Sequence, residues 1–348
     1  MPTIAHDRLQ TIAEELLKGA GCSAEEATVV ARGCIGANLA GHDSHGIIAI
    51  PTYIDRVKRG HIVPGAPYEV ERESATHMVV NGNCGFAVTE RTMRTLIEKA
   101  KTSNVAAATV YHQSHIGRLA NYPLIAAQND MIGLITADSG RSPKAVAPFG
   151  GREARLGTNP ISMAIPSDLD SPLFLDMATS AAAAGKVNVA VARGEQVPDG
   201  WVIGSDGKPT NDPTQLKKGG ALLPLGGPDG GYKGTGLAVM VEILCGLLTG
   251  LGFGVDPTGK HNDGCFMAVF NVASFRDLKE FKAEVAEFAR YLKATPPSAG
   301  SQGVLYPGEI ESMKEAARRR DGIEIEDSTW ASLTKLANEY GVASKLGM

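Results

Sequence analysis

The feature that most constrains this chain is a change of hydrophobic period along it. Leu9, Ile12, Ala13, Leu16 and Leu17 recur at helical spacing. Gly19 and Gly21 end that helix, and Ser23-Ala24-Glu25-Glu26 reads as a capping box opening a second one that runs to about Leu39. From about Thr76 the pattern turns to short β-rich runs, at residues 77–80, 105–110, 132–136, 161–165, 173–176 and 265–271. Helical stretches at 88–99 and 118–128 lie between some of them. Helical periodicity returns with Leu278, Phe281, Val285, Phe288 and Leu292, then with Trp330, Leu333, Leu336 and Ala337. The order predicts an α/β protein: a central mixed β-sheet beside a helical layer supplied by both termini. The corresponding division is a discontinuous helical domain, 1–72 with 278–348, and an α/β domain at 73–277.

A formal net charge of -4 argues against nucleic acid as a partner. The basic run 314–320 reads as a solvated helix face. Five scattered cysteines without Cys-x-x-Cys spacing suit reduced thiols. The first residues lack a basic region followed by an apolar core, which predicts a cytoplasmic protein. The most apolar stretch, 237–251, contains Glu242 and is too short for a membrane span, so it reads as a buried helix.

A nicotinamide-binding Rossmann domain carries Gly-x-Gly-x-x-Gly between a strand and a helix. Gly234-Thr235-Gly236 comes closest, without the third small residue and without a strand before it. The run from Gly226 to Lys233 fails the spacing of a phosphate loop. Glycine and proline cluster through 194–234, which reads as a long irregular region. A glycine-rich loop entering a helix does expose backbone amides to an anion, and Lys233 adds charge; an ordinary turn before a helix is the competing reading.

Gly41-His42-Asp43-Ser44-His45-Gly46 packs titratable groups and a hydroxyl between glycines. Histidine suits proton exchange near neutral pH. A metal site from His42, Asp43 and His45 lacks further well-placed His or Cys. A Ser44–His45 hydrolase lacks a nucleophile elbow, and adjacent side chains rarely form a nucleophile–base hydrogen bond. A polar helix end remains the bland alternative. His112-Gln113-Ser114-His115-Ile116-Gly117-Arg118 follows an apolar strand, where Arg118 can grip a carboxylate or phosphate, although His115 alone could be a cap or a satisfied core residue. Polar turns at 152–160 and 176–180, and Tyr306-Pro307-Gly308-Glu309, carry functional and plain-turn readings alike.

These segments, in this order, resemble the malate/L-lactate dehydrogenase family that is distinct from the classical lactate dehydrogenases and includes sulfolactate and ureidoglycolate dehydrogenases. The resemblance rests on 41–46, 114–117, 157–160, 176–180 with Gly185-Lys186, Lys233-Gly234 and 307–309. It implies a sulfolactate dehydrogenase-like fold, NAD or NADP bound without a Rossmann domain, a homodimer, and a small 2-oxo or 2-hydroxy acid as substrate. By resemblance His45 is the proton donor, Ser44 supports it, and His115 lies in the active site. Thr158 matches a substrate contact. His115, Ile116, Gly117, Arg118 and Leu119, with Asp176, Met177, Ala178, Lys233, Gly234, Pro307, Gly308 and Glu309, match cofactor contacts. No metal is implied.

Ala49 stands where many members carry a carboxylate-binding arginine, a departure shared with the hydroxycarboxylate dehydrogenase B branch. Arg118 or Arg155 is expected to take that role. Lys186 stands where the imine-reducing branch has aspartate, which favours a carbonyl over a cyclic imino acid. An inactive ligand-binding homologue is the alternative from another class, and the intact His45 and His115 argue against it.

Overall fold

The computed structural model describes residues 1–82, 87–138, 141, 143–257 and 262–348. Cys84 lies outside them; Cys22, Cys34, Cys245 and Cys265 are free thiols. Helix α1 (His6–Gly19) and helix α2 (Ala24–Leu39) open the chain. The Ser23 hydroxyl accepts from the Glu26 amide while the Glu26 carboxylate accepts from the Ser23 amide, closing the expected capping box. Such a cap contributes about 1 kcal/mol. Helix α3 (Ile50–Lys58) follows.

Leu9, Ile12 and Leu16 of α1 and Val30 and Ile35 of α2 share one core with Ile323, Leu333 and Leu346 from the other end of the chain. Helix α10 (Asp327–Glu339) and a short α11 (Ala343–Leu346) supply that end. A two-residue antiparallel pairing of Thr3–Ile4 with Ile323–Glu324 ties the termini together. The helical layer from both termini is thus one packed unit.

Beside it lies a seven-stranded sheet. Its strands are β1 (Glu69–Glu73), β2 (His77–Asn81), β3 (Val105–Gln113), β4 (Met131–Asp138), β5 (Ile161–Ile165), β6 (Leu173–Met177) and β7 (Asp263–Asn271). The spatial order is β1-β2-β3-β7-β4-β5-β6. Only β2 and β3 run parallel. The sheet is therefore mixed, and its order is not that of a Rossmann domain. Alternation along β4 sends Met131, Ile135 and Ala137 into a core with helix α4 (Val88–Ser103) and helix α5 (Pro123–Ala127). Thr136 points to the opposite face, where its hydroxyl lies 3.1 Å from Cys245 Sγ.

Three expectations are corrected. The stretch 118–128 is not one helix: a short turn, Leu119–Asn121, precedes α5, because Pro123 fits only a helix start. The stretch 237–251 is helical but not buried. Helix α7 (Gly227–Glu242) passes into a wide turn, Ile243–Leu247. Ala238, Val241 and Cys245 face inward, while Leu237, Met240, Ile243, Leu247 and Leu248 stay 40–57% exposed. The glycine-rich region, which follows helix α6 (Ala184–Arg193), is not wholly irregular: it holds a small three-stranded sheet and the first turns of α7.

Helix α8 (Leu278–Lys293) is amphipathic as expected, and it is tied to the sheet unit through Lys282 to Asp130 and Asp168. Helix α9 (Glu309–Asp321) crosses back toward α2. Among the described residues no helix is long and apolar enough to cross a membrane.

Candidate active site

The end of α2 places the first histidines. After Leu39 the chain turns through Gly41 into a single tight helical turn, Asp43–His45. The buried Asn38 organises it: Nδ2 donates to Asp43 Oδ1 at 2.7 Å, and Oδ1 accepts from the Ile47 amide at 2.7 Å. Gly46 packs so closely that a Cβ there would lie 2.3 Å from the Asn38 amide atoms. In this turn Ser44 Oγ and His45 Nδ1 lie 3.0 Å apart. Adjacent residues do make this contact, contrary to expectation, within the tight turn Asp43–His45. Among the described residues no hydrogen bond engages His45 Nε2.

His115 follows β3. Its ring stacks on that of His45, centroids 5.4 Å apart and 28° between planes. The buried Tyr53 hydroxyl, from α3, is 2.6 Å from His115 Nδ1. Arg56, one turn on, donates to Ser114 Oγ at 3.1 Å. The helical unit therefore orients the histidine that the sheet delivers.

Arg118 is 7% exposed. Its Nε lies 3.7 Å from Asp176 Oδ2, and its guanidinium sits 5.0 Å over the Phe174 ring. The Ala120 amide donates to Asp176 Oδ2 at 2.9 Å. Burial pushes the Asp176 carboxyl up to about 6, against the pull of the Ala120 amide and Arg118. Burial also lowers Arg118. Arg118 Nε is buried without a hydrogen-bond partner among the described residues. A buried, incompletely partnered guanidinium is a group that an anion completes.

The same charge acts on the histidines. His42 is held below its ordinary value by burial and then by Arg118, against the pull of Glu311, 3.4 Å away. His45 is driven down to about 4 by burial, His42 and Arg118. At neutral pH it is an uncharged imidazole in a field that favours anions.

The remaining segments meet around β6. Thr179 donates from its amide and hydroxyl to the Thr158 carbonyl, at 2.9 and 3.1 Å. Asn159, with φ +39°, donates to Glu242 of α7 at 2.9 Å, and Lys144 reaches Glu242 at 3.0 Å. The Leu225 amide donates to the Thr179 carbonyl at 2.9 Å, and Gly234 packs on Leu225. Lys233 is exposed beside Tyr232. The Phe174 amide donates to the Pro307 carbonyl at 3.1 Å, and Gly308 packs on Phe174. Glu309 accepts from the Tyr306 amide and pairs with Lys293. Ile116 accepts from the Tyr122 hydroxyl at 2.6 Å; Gly117 and Leu119 are buried around it, and Met177 and Ala178 are half-buried at the end of β6. A Cβ on Gly185, in the first turn of α6, would lie 3.2 Å from Ser44 Cβ, so that helix start abuts the histidine turn. Arg155 is placed otherwise: its side chain is 72% exposed and pairs with Glu153 at 2.7 Å.

The structure adds Asn38, Tyr53, Arg56, Phe174, Glu311 and Arg318 to the residues singled out from sequence. Asn38 carried a signal, being an amide within an apolar helical run. The others lie far along the chain from the residues they touch and carried none. The basic run 314–320 is corrected in part. Arg319 and Arg320 pair locally at the surface, but Arg318 reaches inward to Asp43.

Among the described residues no group of three or more His, Cys, Asp or Glu is placed to hold a metal. A nicotinamide dinucleotide fits the start of α7, where among the described residues no side chain caps the free amides behind Gly226.

The family model for malate/L-lactate dehydrogenase matches residues 4–334. The L-sulfolactate dehydrogenase of Methanothermobacter thermautotrophicus is 37% identical over 95% of this chain and 95% of its own. The ureidoglycolate dehydrogenase (NAD(+)) of Escherichia coli is 31% identical over 95% of this chain and 94% of its own. The crystal structure of malate dehydrogenase from Entamoeba histolytica superposes with a TM-score of 0.93 at 34% identity, covering 98% of both chains. With the sheet order, the stacked histidines and these matches together, the chain belongs to the malate/L-lactate dehydrogenase family of nicotinamide-dependent 2-hydroxyacid dehydrogenases.

Proposed function

We propose that the protein reversibly interconverts a small 2-hydroxy acid and its 2-oxo acid, with His45 exchanging the proton at Nε2 and Arg118 holding the carboxylate. The observation that carries this reading is the half-buried pair of stacked histidines beside a buried, incompletely partnered arginine. Residues 115–119, 176–178, 233–234 and 307–309 would hold the cofactor; the name of the ureidoglycolate relative supports NAD. The bound nicotinamide supplies the hydride acceptor or donor.

Every other step belongs to the chain. His45 rests neutral, so it is ready to accept the hydroxyl proton as a 2-hydroxy acid is oxidised. Ser44 at Nδ1 keeps Nε2 as the exchanging nitrogen. In the reverse direction His45 must be charged, and a bound carboxylate supplies the negative field that favours the imidazolium. His115, held by Tyr53, packs against His45 and restricts its ring. Arg155, exposed and paired, is the weaker choice for the carboxylate. The homodimer implied by the family resemblance belongs to this proposal, and the uncovered apolar stripe on α7 supports it; sedimentation reads the state directly.

The experiment is to follow nicotinamide absorbance against a panel of 2-hydroxy acids, 2-oxo acids and cyclic imino acids. His45→Asn is expected to lower kcat about 10²–10⁴-fold on the accepted substrate. Arg118→Met should raise KM about 10–100-fold, the value of a lost charge-assisted hydrogen bond, while Arg155→Met changes it less than about twofold. Cofactor consumption by imino acids alone, or full activity in the His45 variant, would falsify the reading.

A further inference from the structure

The turn that carries Ser44 and His45 is one short loop between glycines, with Asp43 and Ser44 exposed. Its hold on position comes from α9, a helix from the far end of the sequence. Glu311, Lys314 and Arg318 fall at i, i+3 and i+7 on one face of α9. Each meets the turn. Glu311 Oε1 is 3.4 Å from His42 Nε2. The Lys314 stem packs on Gly41, where φ is +83° and a Cβ would lie 2.4 Å from Lys314 Cδ. Arg318 makes a two-pronged contact with Asp43, at 2.6 and 2.9 Å, and also donates to the Asn38 carbonyl.

Asn38 closes the circuit, since its Nδ2 donates to the same Asp43 oxygen. Asp43 thus accepts from both α2 and α9. Partial desolvation beside α9 pushes its carboxyl up, but the bonds from Arg318 and Asn38 outweigh that and hold it below its ordinary value. A planar guanidinium gripping a carboxylate at two points fixes orientation as well as distance. Asp43 is neighbour to the Ser44–His45 pair, so its orientation sets theirs.

We infer that Arg318 and Asp43 are positioning residues for proton transfer: their two-pronged pair holds the Asp43–His45 turn so that His45 Nε2 meets the substrate oxygen. The inference rests on the reading of His45 as the proton-exchanging group. Misplacement of a reacting group by about 1 Å costs on the order of 100-fold in rate. The pair touches no reacting atom, so its loss acts on kcat and leaves cofactor affinity in place.

The two residues carry opposite charge, which separates positioning from plain electrostatics. If they acted only through charge, Asp43→Asn would lower the His45 pKa and Arg318→Met would raise it, moving the pH profile in opposite directions. If they act by position, both variants lose kcat alike and the double variant is no worse than either single one.

The test measures kcat, cofactor Kd by fluorescence titration, the pH profile and the solvent isotope effect for Asp43→Asn, Arg318→Met, Arg318→Lys and the double variant, with His45→Asn in parallel. Expected are a fall of about 10–100-fold in kcat for both single neutral variants, a Kd within about twofold of the parent, a larger solvent isotope effect, non-additivity, and partial rescue in Arg318→Lys. If Arg318→Met does not fold, Asp43→Asn and Arg318→Lys carry the same comparison. Near-parental kcat in these variants while His45→Asn is inactive, or opposite pH shifts without loss of kcat, overturns the positioning role alone. Retained turnover in His45→Asn overturns the proton-exchange reading, and the positioning role with it.

Discussion

At the scale of single residues, the site is governed by where charge is withheld. His45 is neutral at rest because burial, His42 and Arg118 all oppose its proton, taking it down to about 4. The sign of each contribution gives a test. Removing Arg118 takes away a cation, so the imidazolium becomes easier to form and the His45 pKa rises. On the proposed reading of His45, kcat/KM for oxidation of the 2-hydroxy acid follows the unprotonated histidine of the free enzyme. Its acid limb therefore moves to higher pH in Arg118→Met than in the parent, independently of the accompanying change in KM. An acid limb that stays in place or moves lower would show that Arg118 does not set the proton affinity of His45. The same variant leaves Asp176 buried without its cation, so the protein also loses about 3–5 kcal/mol, read as a lower unfolding midpoint.

At the scale of elements, the sharpest constraint lies where α2 ends. Asn38, Gly46 and the intervening turn form one hydrogen-bonded unit with no room for a side chain at Gly46. Gly46→Ala forces Asn38 aside and breaks its bonds to Asp43 and Ile47. Overpacking of this kind costs about 1–3 kcal/mol, and we expect kcat to fall by more than tenfold at temperatures where the variant remains folded. Kinetics beside calorimetry check it, and parental kcat with only a lowered midpoint would remove the turn from the chemistry. Elements of this kind were legible in the sequence when their signal was local. The capping box of α2 was readable, as were the strands at 105–110 and 161–165, because period and caps lie within a few residues. The histidine turn stood out in the sequence because its polar groups are consecutive. What was not legible is contact across the chain. Nothing near Tyr53 says that its hydroxyl meets His115, and a run of basic residues in α9 looks like a solvated face until Asp43 appears beside Arg318. The exposed stripe on α7 misled in the opposite direction, since an apolar run does not by itself say which of its side chains the fold covers.

At the scale of the whole molecule, the candidate site gathers residues of the helical layer and of the sheet, and both ends of the chain build that layer. His45, Tyr53 and Arg56 come from the helical unit; His115, Arg118 and Asp176 come from the sheet. The helical unit is a single core because Ile323, Ile325 and Leu333 fill the space left between α1, α2 and α3. Leu333 is fully buried there. Leu333→Ala leaves a cavity in that core and costs about 2–5 kcal/mol, yet it touches neither histidine. The expected result is a lowered unfolding midpoint with kcat near parental well below it, because the geometry at the site is kept as long as the core is folded. On heating, activity should vanish together with the helical signal, since the end of α2 cannot hold His45 against His115 once its own core opens. Activity that outlives the helical unit in this variant would mean that the sheet alone assembles the site, and that the two ends of the chain meet for stability without contributing to the chemistry.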